Sequence, residues 1–156
     1  MPRRRPGALR APRRPRPITW AGDLERVDRL SIDASAAVHL AERLSPDADV
    51  RPGKTAHRLH IYRSFLRQPG NRLRLVTSLM PSCPGCQDDD VAVARDGLEA
   101  VLETLPPWAR RELSRLLADL DAEFARRTLP TFDPSRRLDW EGNPTPWWHH
   151  RAYTDD

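Results

Sequence analysis

Cysteine is scarce. The 156-residue chain has two, Cys83 and Cys86, too few for the disulfide framework that replaces a core in small secreted domains. Long apolar runs are missing as well. None approaches the roughly 18 residues of a membrane-spanning helix, so no integral membrane protein is expected. Apolar residues make up 38% of the chain, below the norm for globular domains even when glycine is counted in place of tyrosine. Catalytic signatures are absent too. There is no G-x-x-x-x-G-K-[ST], no G-x-G-x-x-G and no H-E-x-x-H, and no serine sits in a nucleophile elbow. Gly53-Lys54-Thr55 resembles the end of a phosphate loop, but Ala48 stands where its first glycine belongs. No enzyme is expected.

The chain is rich in proline, with 16, and 31% of its residues are charged. Its length suits one domain, and these features predict that only part of it folds. Residues 1–17 carry Arg3, Arg4, Arg5, Arg10, Arg13, Arg14 and Arg16 with no acid, a charge of +7, while the rest carries −3. Five prolines exclude a helix there, so the segment reads as a disordered, cationic arm. Seven guanidinia favour a polyanion, because each phosphate neutralised releases counterion, and nucleic acid is the candidate partner. The arm lacks an apolar face for a membrane. Arg13-Arg14 is a twin-arginine pair, but Pro15-Arg16-Pro17 follows in place of an apolar stretch, so no export signal is expected and the chain reads as cytoplasmic. Lys54 is the one lysine among 26 basic residues, a bias that also suits a GC-rich genome.

The expected fold is mainly α, a helical domain over 18–129. Trp20, Leu24, Val27 and Leu30 are spaced for a short helix. Ser31 or Asp33 caps a second over Ala34–Leu44, with Ala37, Val38, Ala41 and Leu44 inward and Ser45-Pro46-Asp47 as its stop. Segment 55–68 fits a helix through Leu59, Tyr62, Phe65 and Leu66. It also alternates, as does 72–80, so a short strand or a β-hairpin within 57–80 is the alternative. Asp88-Asp89-Asp90 suit a helix N-terminus ahead of Val91, Ala94, Leu98, Val101 and Leu105, spaced 3, 4, 3, 4. Pro106-Pro107 then starts a helix to about Thr128, with Leu113, Leu116, Leu117, Leu120 and Phe124 inward and Glu123–Arg127 as an i,i+4 pair. The two form an αα-hairpin over 88–128.

The tail, 130–156, has four prolines and half of the ten aromatics, among them Phe132, Trp140, Trp147 and Trp148. Disordered spacers are poor in aromatics, so this extended tail is expected to dock. Trp147, Trp148 and Arg151 are candidate anchors for a protein partner, or for the chain's own hairpin. The runs Leu105-Pro106-Pro107-Trp108-Ala109-Arg110-Arg111-Glu112-Leu113, Leu120-Asp121-Ala122-Glu123-Phe124, Arg126-Arg127-Thr128-Leu129-Pro130 and Trp147-Trp148-His149-His150-Arg151 resemble small uncharacterised proteins of actinobacterial genomes. The resemblance covers about the last third of the chain and implies no activity.

Cys83-Pro84-Gly85-Cys86 is the sharpest local motif. A turn with proline and glycine can bring two thiolates to one zinc ion. Closing such a site takes two more ligands, and His57 and His60, one helical turn apart, are the candidates, ahead of the adjacent His149 and His150. The same motif admits a thiol redox site. Asp88, Asp89 and Asp90 disfavour the thiolate which that chemistry needs. Two inert thiols in a reduced turn are the third alternative. No cofactor other than zinc is expected. The function these features imply is a small binding or accessory protein. It would be associated with nucleic acid through the arm, or else act as a protein-interaction adaptor through the hairpin and Trp-rich tail.

Overall fold

The computed structural model describes residues 25–73 and 90–152. The arm, the C-x-x-C turn and most of the expected strand 72–80 lie outside the described residues. The fold is mainly helical. Four helices run in order: α1, Ile32–Leu44; α2, Lys54–Leu66; α3, Val91–Thr104; and α4, Pro107–Arg127. The two-residue strands β1, Leu129–Pro130, and β2, Arg151–Ala152, pair antiparallel.

Periodicity forms α3 and α4 as expected. Asp90 caps α3 by accepting from the Ala92 amide at 2.8 Å. Val91, Ala94, Leu98, Val101 and Leu105 are all buried. Leu105 and Pro106 separate it from α4, whose Leu113, Leu116, Leu117 and Phe124 are buried and Leu120 partly so. The broadest face of α3 is shared with α2. Gly97 makes room there: a Cβ on it would lie 1.9 Å from Cζ of Arg58, which is buried and donates to Asp49.

Segment 59–66 is helix and not a strand, which removes the hairpin alternative. Leu59, Tyr62, Phe65 and Leu66 face the core, and burial of one helical stripe decides between the two periods. No helix forms over 25–30. Val27 and Leu30 are nonetheless buried, brought together by a turn in which the Leu30 amide donates to the Val27 carbonyl at 3.1 Å. In α1 the core residues are Ala34, Ala37 and Val38, whereas Leu44 is 73% exposed. Its expected inward position is corrected: the packing surface against the rest of the core ends near Ala41.

Helix ends are satisfied across long sequence distances, with carboxylates at N-termini and guanidinia at C-termini, as the helix dipole favours. Ser31 caps α1 by accepting from Ala34, while Glu112 of α4 accepts from the amide and hydroxyl of Ser31. The buried Glu42 accepts from the amides of Gly53 and Thr55 at 2.9 and 2.8 Å, supplying the cap that Gly53 lacks for α2. Arg127, buried, donates to the carbonyl of Leu66, the last residue of α2, and to those of Gln68 and Gly70 beyond it. The expected Glu123–Arg127 pair forms at 3.9 Å, and Glu123 also takes two shorter bonds from Arg126, at 2.7 and 2.9 Å.

Candidate interaction surface

Each candidate site residue has a definite place, or none. His57 and His60 lie exposed on α2, and His60 approaches the Ser64 hydroxyl at 3.4 Å. Cys83 and Cys86 lie outside the described residues, as do the seven arginines of the arm. Among the described residues no group of three or more His, Cys, Asp or Glu side chains is placed to hold a metal.

The tail folds back on the helices. Trp148 is buried, its indole N–H donates to Asp96 at 2.7 Å, and the Arg95 guanidinium stacks 4.2 Å above its ring. His149 Nε2 reaches the same Asp96 carboxylate at 2.7 Å. Trp147, half-buried, sits 6.1 Å from Phe124 and 5.9 Å from Trp148, ring centre to ring centre. Arg151 donates to Thr128 and to the Ala125 carbonyl, at the C-terminus of α4. All three proposed anchors are engaged by this chain's own helices. Among the described residues the exposed aromatics of the tail are Phe132 and Trp140, at 84% and 92%, and Trp147, at 41%.

Beneath Trp148 lies a polar network. Arg95 donates twice from Nε to Asp121, at 3.0 and 3.3 Å, once from Nη2 at 3.1 Å, and from Nη1 to Glu99 at 2.7 Å. The Tyr62 hydroxyl donates to Asp121 at 2.7 Å. Burial opposes the charge on Arg95, but its bonds to Asp121 and Glu99 outweigh burial and hold its pKa above the ordinary value. Burial, and then Asp121, push the Tyr62 pKa upward. The network fastens α2, α3, α4 and the tail together.

Open surface lies at the other end of the molecule. An apolar groove of about 500 Å³ runs between α1 and the α3–α4 corner, with Leu40, Leu44, Pro46, Pro106 and Trp108 around a floor of Ala37 and Ala41. Trp108 also walls a second concavity of about 690 Å³, lined by Arg29, Arg111, Arg115, Glu112, Leu116 and Asp119. None of the three arginines forms an ion pair among the described residues. Arg29 has φ +65°, the left-handed region that a non-glycine side chain rarely adopts. Sequence reasoning passed over Trp108 and Leu40. Their signal was faint: α1 carries apolar residues at 40 and 44 beyond the stripe that its core contact uses.

A third cleft, about 540 Å³, separates the start of α3 from the tail loop and is lined by Asp96, Asp139, Trp140 and His149 among others. Asp139 is committed to its own turn, accepting from the amides of Glu141 and Asn143, and these bonds hold its pKa below the usual carboxylate value. Among the described residues no helix is long and apolar enough to cross a membrane. No family model matches the chain, no curated protein matches it, and no solved structure matches it.

Proposed function

We propose that the protein is a non-enzymatic adaptor that binds a polypeptide segment on the groove between α1 and the α3–α4 corner. What supports this reading is one observation: a chain short of apolar residues leaves Leu40, Leu44 and Trp108 around an open apolar groove. Contiguous apolar concavities of that kind mark interaction sites more often than exposed single residues do. Helical peptides selected from a random display library against the full chain test it. Their binding should fall about tenfold or more with Leu40→Gln/Leu44→Gln, a loss of about 1.4 kcal/mol or more. Leu44 is so exposed that the melting midpoint should barely move. Binders indifferent to this double substitution would overturn the reading.

A second reading is nucleic-acid association. What favours it is the concentration of seven arginines and no acid in residues 1–17. Full-length protein should then bind duplex DNA with an affinity that falls on a log–log salt slope of about −6. Deleting residues 1–17 should abolish that binding and leave the melting midpoint unchanged. Absence of binding at low salt sinks this reading. Neither reading requires a cofactor, and both suit a cytoplasmic protein.

A further inference from the structure

The apolar groove and the arginine cleft are neighbours, since Trp108 lines both. At the apolar end, Ala37, Leu40, Ala41 and Leu44 stand at i, i+3, i+4 and i+7 along α1. Ala37 and Ala41 pack on the chain's own core, so Leu40 and Leu44 are the side chains that this row offers to a second helix. At the other end, Arg29, Arg111 and Arg115 outnumber the two carboxylates that line the cleft with them, Glu112 and Asp119, and form an ion pair with neither among the described residues. Glu112 accepts from the Ser31 amide and hydroxyl, and Arg111 donates to the Pro107 carbonyl at 3.2 Å. Guanidinium forks match carboxylates two bonds at a time.

We propose that the segment bound here is an amphipathic helix with an acidic end: its apolar i, i+3, i+4, i+7 side chains fill the groove, and its terminal Asp or Glu residues meet Arg29, Arg111 and Arg115 across Trp108. The proposal rests on the adaptor reading and adds the partner's chemistry. Charge complementarity selects the occupant, because a nucleic-acid backbone satisfies the arginines but offers nothing to the Leu40–Leu44 wall. A neutral helix fills the wall but leaves the excess positive charge of the cleft without a counter-charge. A helix with both features uses the whole surface, and the charges fix which of its ends lies at Trp108.

The test is fluorescence anisotropy with the full chain and labelled synthetic helical peptides. Each has leucines at i, i+3, i+4 and i+7 and three glutamates, placed at the N-terminal end in one version and at the C-terminal end in the other. One version should bind, and changing its glutamates to glutamine should weaken it about tenfold at low salt, less at high salt. Arg111→Gln/Arg115→Gln should weaken the glutamate peptide by a similar factor and leave the glutamine peptide unchanged. Equal binding of glutamate and glutamine peptides overturns this inference and leaves the adaptor reading standing. Equal binding after the leucines are changed to serine also overturns it, since the cleft would then take anions without the groove. A short single-stranded oligonucleotide that displaces the peptide through Arg111 and Arg115 and binds more tightly overturns it in favour of nucleic acid. No binding by any peptide, with library binders insensitive to Leu40→Gln/Leu44→Gln, removes both the inference and the reading.

Discussion

Asp121→Ala perturbs the network that joins every helix except α1 to the tail. It deletes three contacts from Arg95, at 3.0, 3.1 and 3.3 Å, and the 2.7 Å bond from Tyr62. Arg95 would keep Glu99, whose side chain is 44% exposed, and the face of Trp148. Removing one partner of a buried ion pair costs about 3–5 kcal/mol, because the other charge stays buried. Glu99 remains within reach, so the lower end, about 3 kcal/mol, is the expected cost. Against a total stability of about 5–15 kcal/mol, that lowers the melting midpoint by roughly 10 °C. Arg95→Met should cost less, since Asp121 lies near the surface and can hydrate. The double variant Arg95→Met/Asp121→Ala should be more stable than the sum of the single changes implies, by about 1–3 kcal/mol. Urea denaturation followed by circular dichroism measures all three. A cost below about 1 kcal/mol for Asp121→Ala, or additivity of the pair within about 0.5 kcal/mol, would refute the coupled network.

Base and metal provide two more predictions. The folded state raises the Tyr62 pKa above the ordinary 10.0. Its contribution is therefore complete below pH 10, where the unfolded chain also holds the proton. Above that, the unfolded state ionises first and stability should fall by up to about 1.4 kcal/mol per pH unit. Tyr62→Phe should remove that slope, and an unchanged alkaline unfolding curve would contradict the burial argument. Purified protein should carry substoichiometric zinc, with Cys83 and Cys86 reacting at the rate of ordinary thiols, because three neighbouring aspartates disfavour the thiolate. Elemental analysis showing one zinc per chain, lowered by Cys83→Ser and by His60→Ala, would instead establish the metal site.

Much of the helical layout could be read from neighbouring residues. Ser31 and Ser45-Pro46 bracket α1, Asp90 opens α3, and Pro106-Pro107 divides α3 from α4. Caps and prolines act within three or four residues, so a linear reading sees them. Segment 59–66 satisfied both periods, and its choice of helix depended on which side chains the other helices would bury. Buried charge was beyond that reading as well. Arg58, Arg63 and Arg95 look like surface residues along the chain, yet each is buried and paired with an aspartate on another element: Asp49, Asp28 and Asp121.

The sequence by itself determined the boundaries of α3 and α4, the end of α1 and that a Trp-rich tail needed cover, because capping, helix breaking and apolar composition are local properties. Only the tertiary structure decided that Glu42 caps α2, that Arg127 and Arg151 close the ends of α2 and α4, that Trp148 seats over Arg95, and that Leu44 faces out beside Trp108. Many of these contacts join residues far apart in the chain, and Ser31 and Glu112 meet across 81 positions. Which distant partner a charge or an aromatic ring finds is set by how the helices pack, and no periodicity along the chain encodes it.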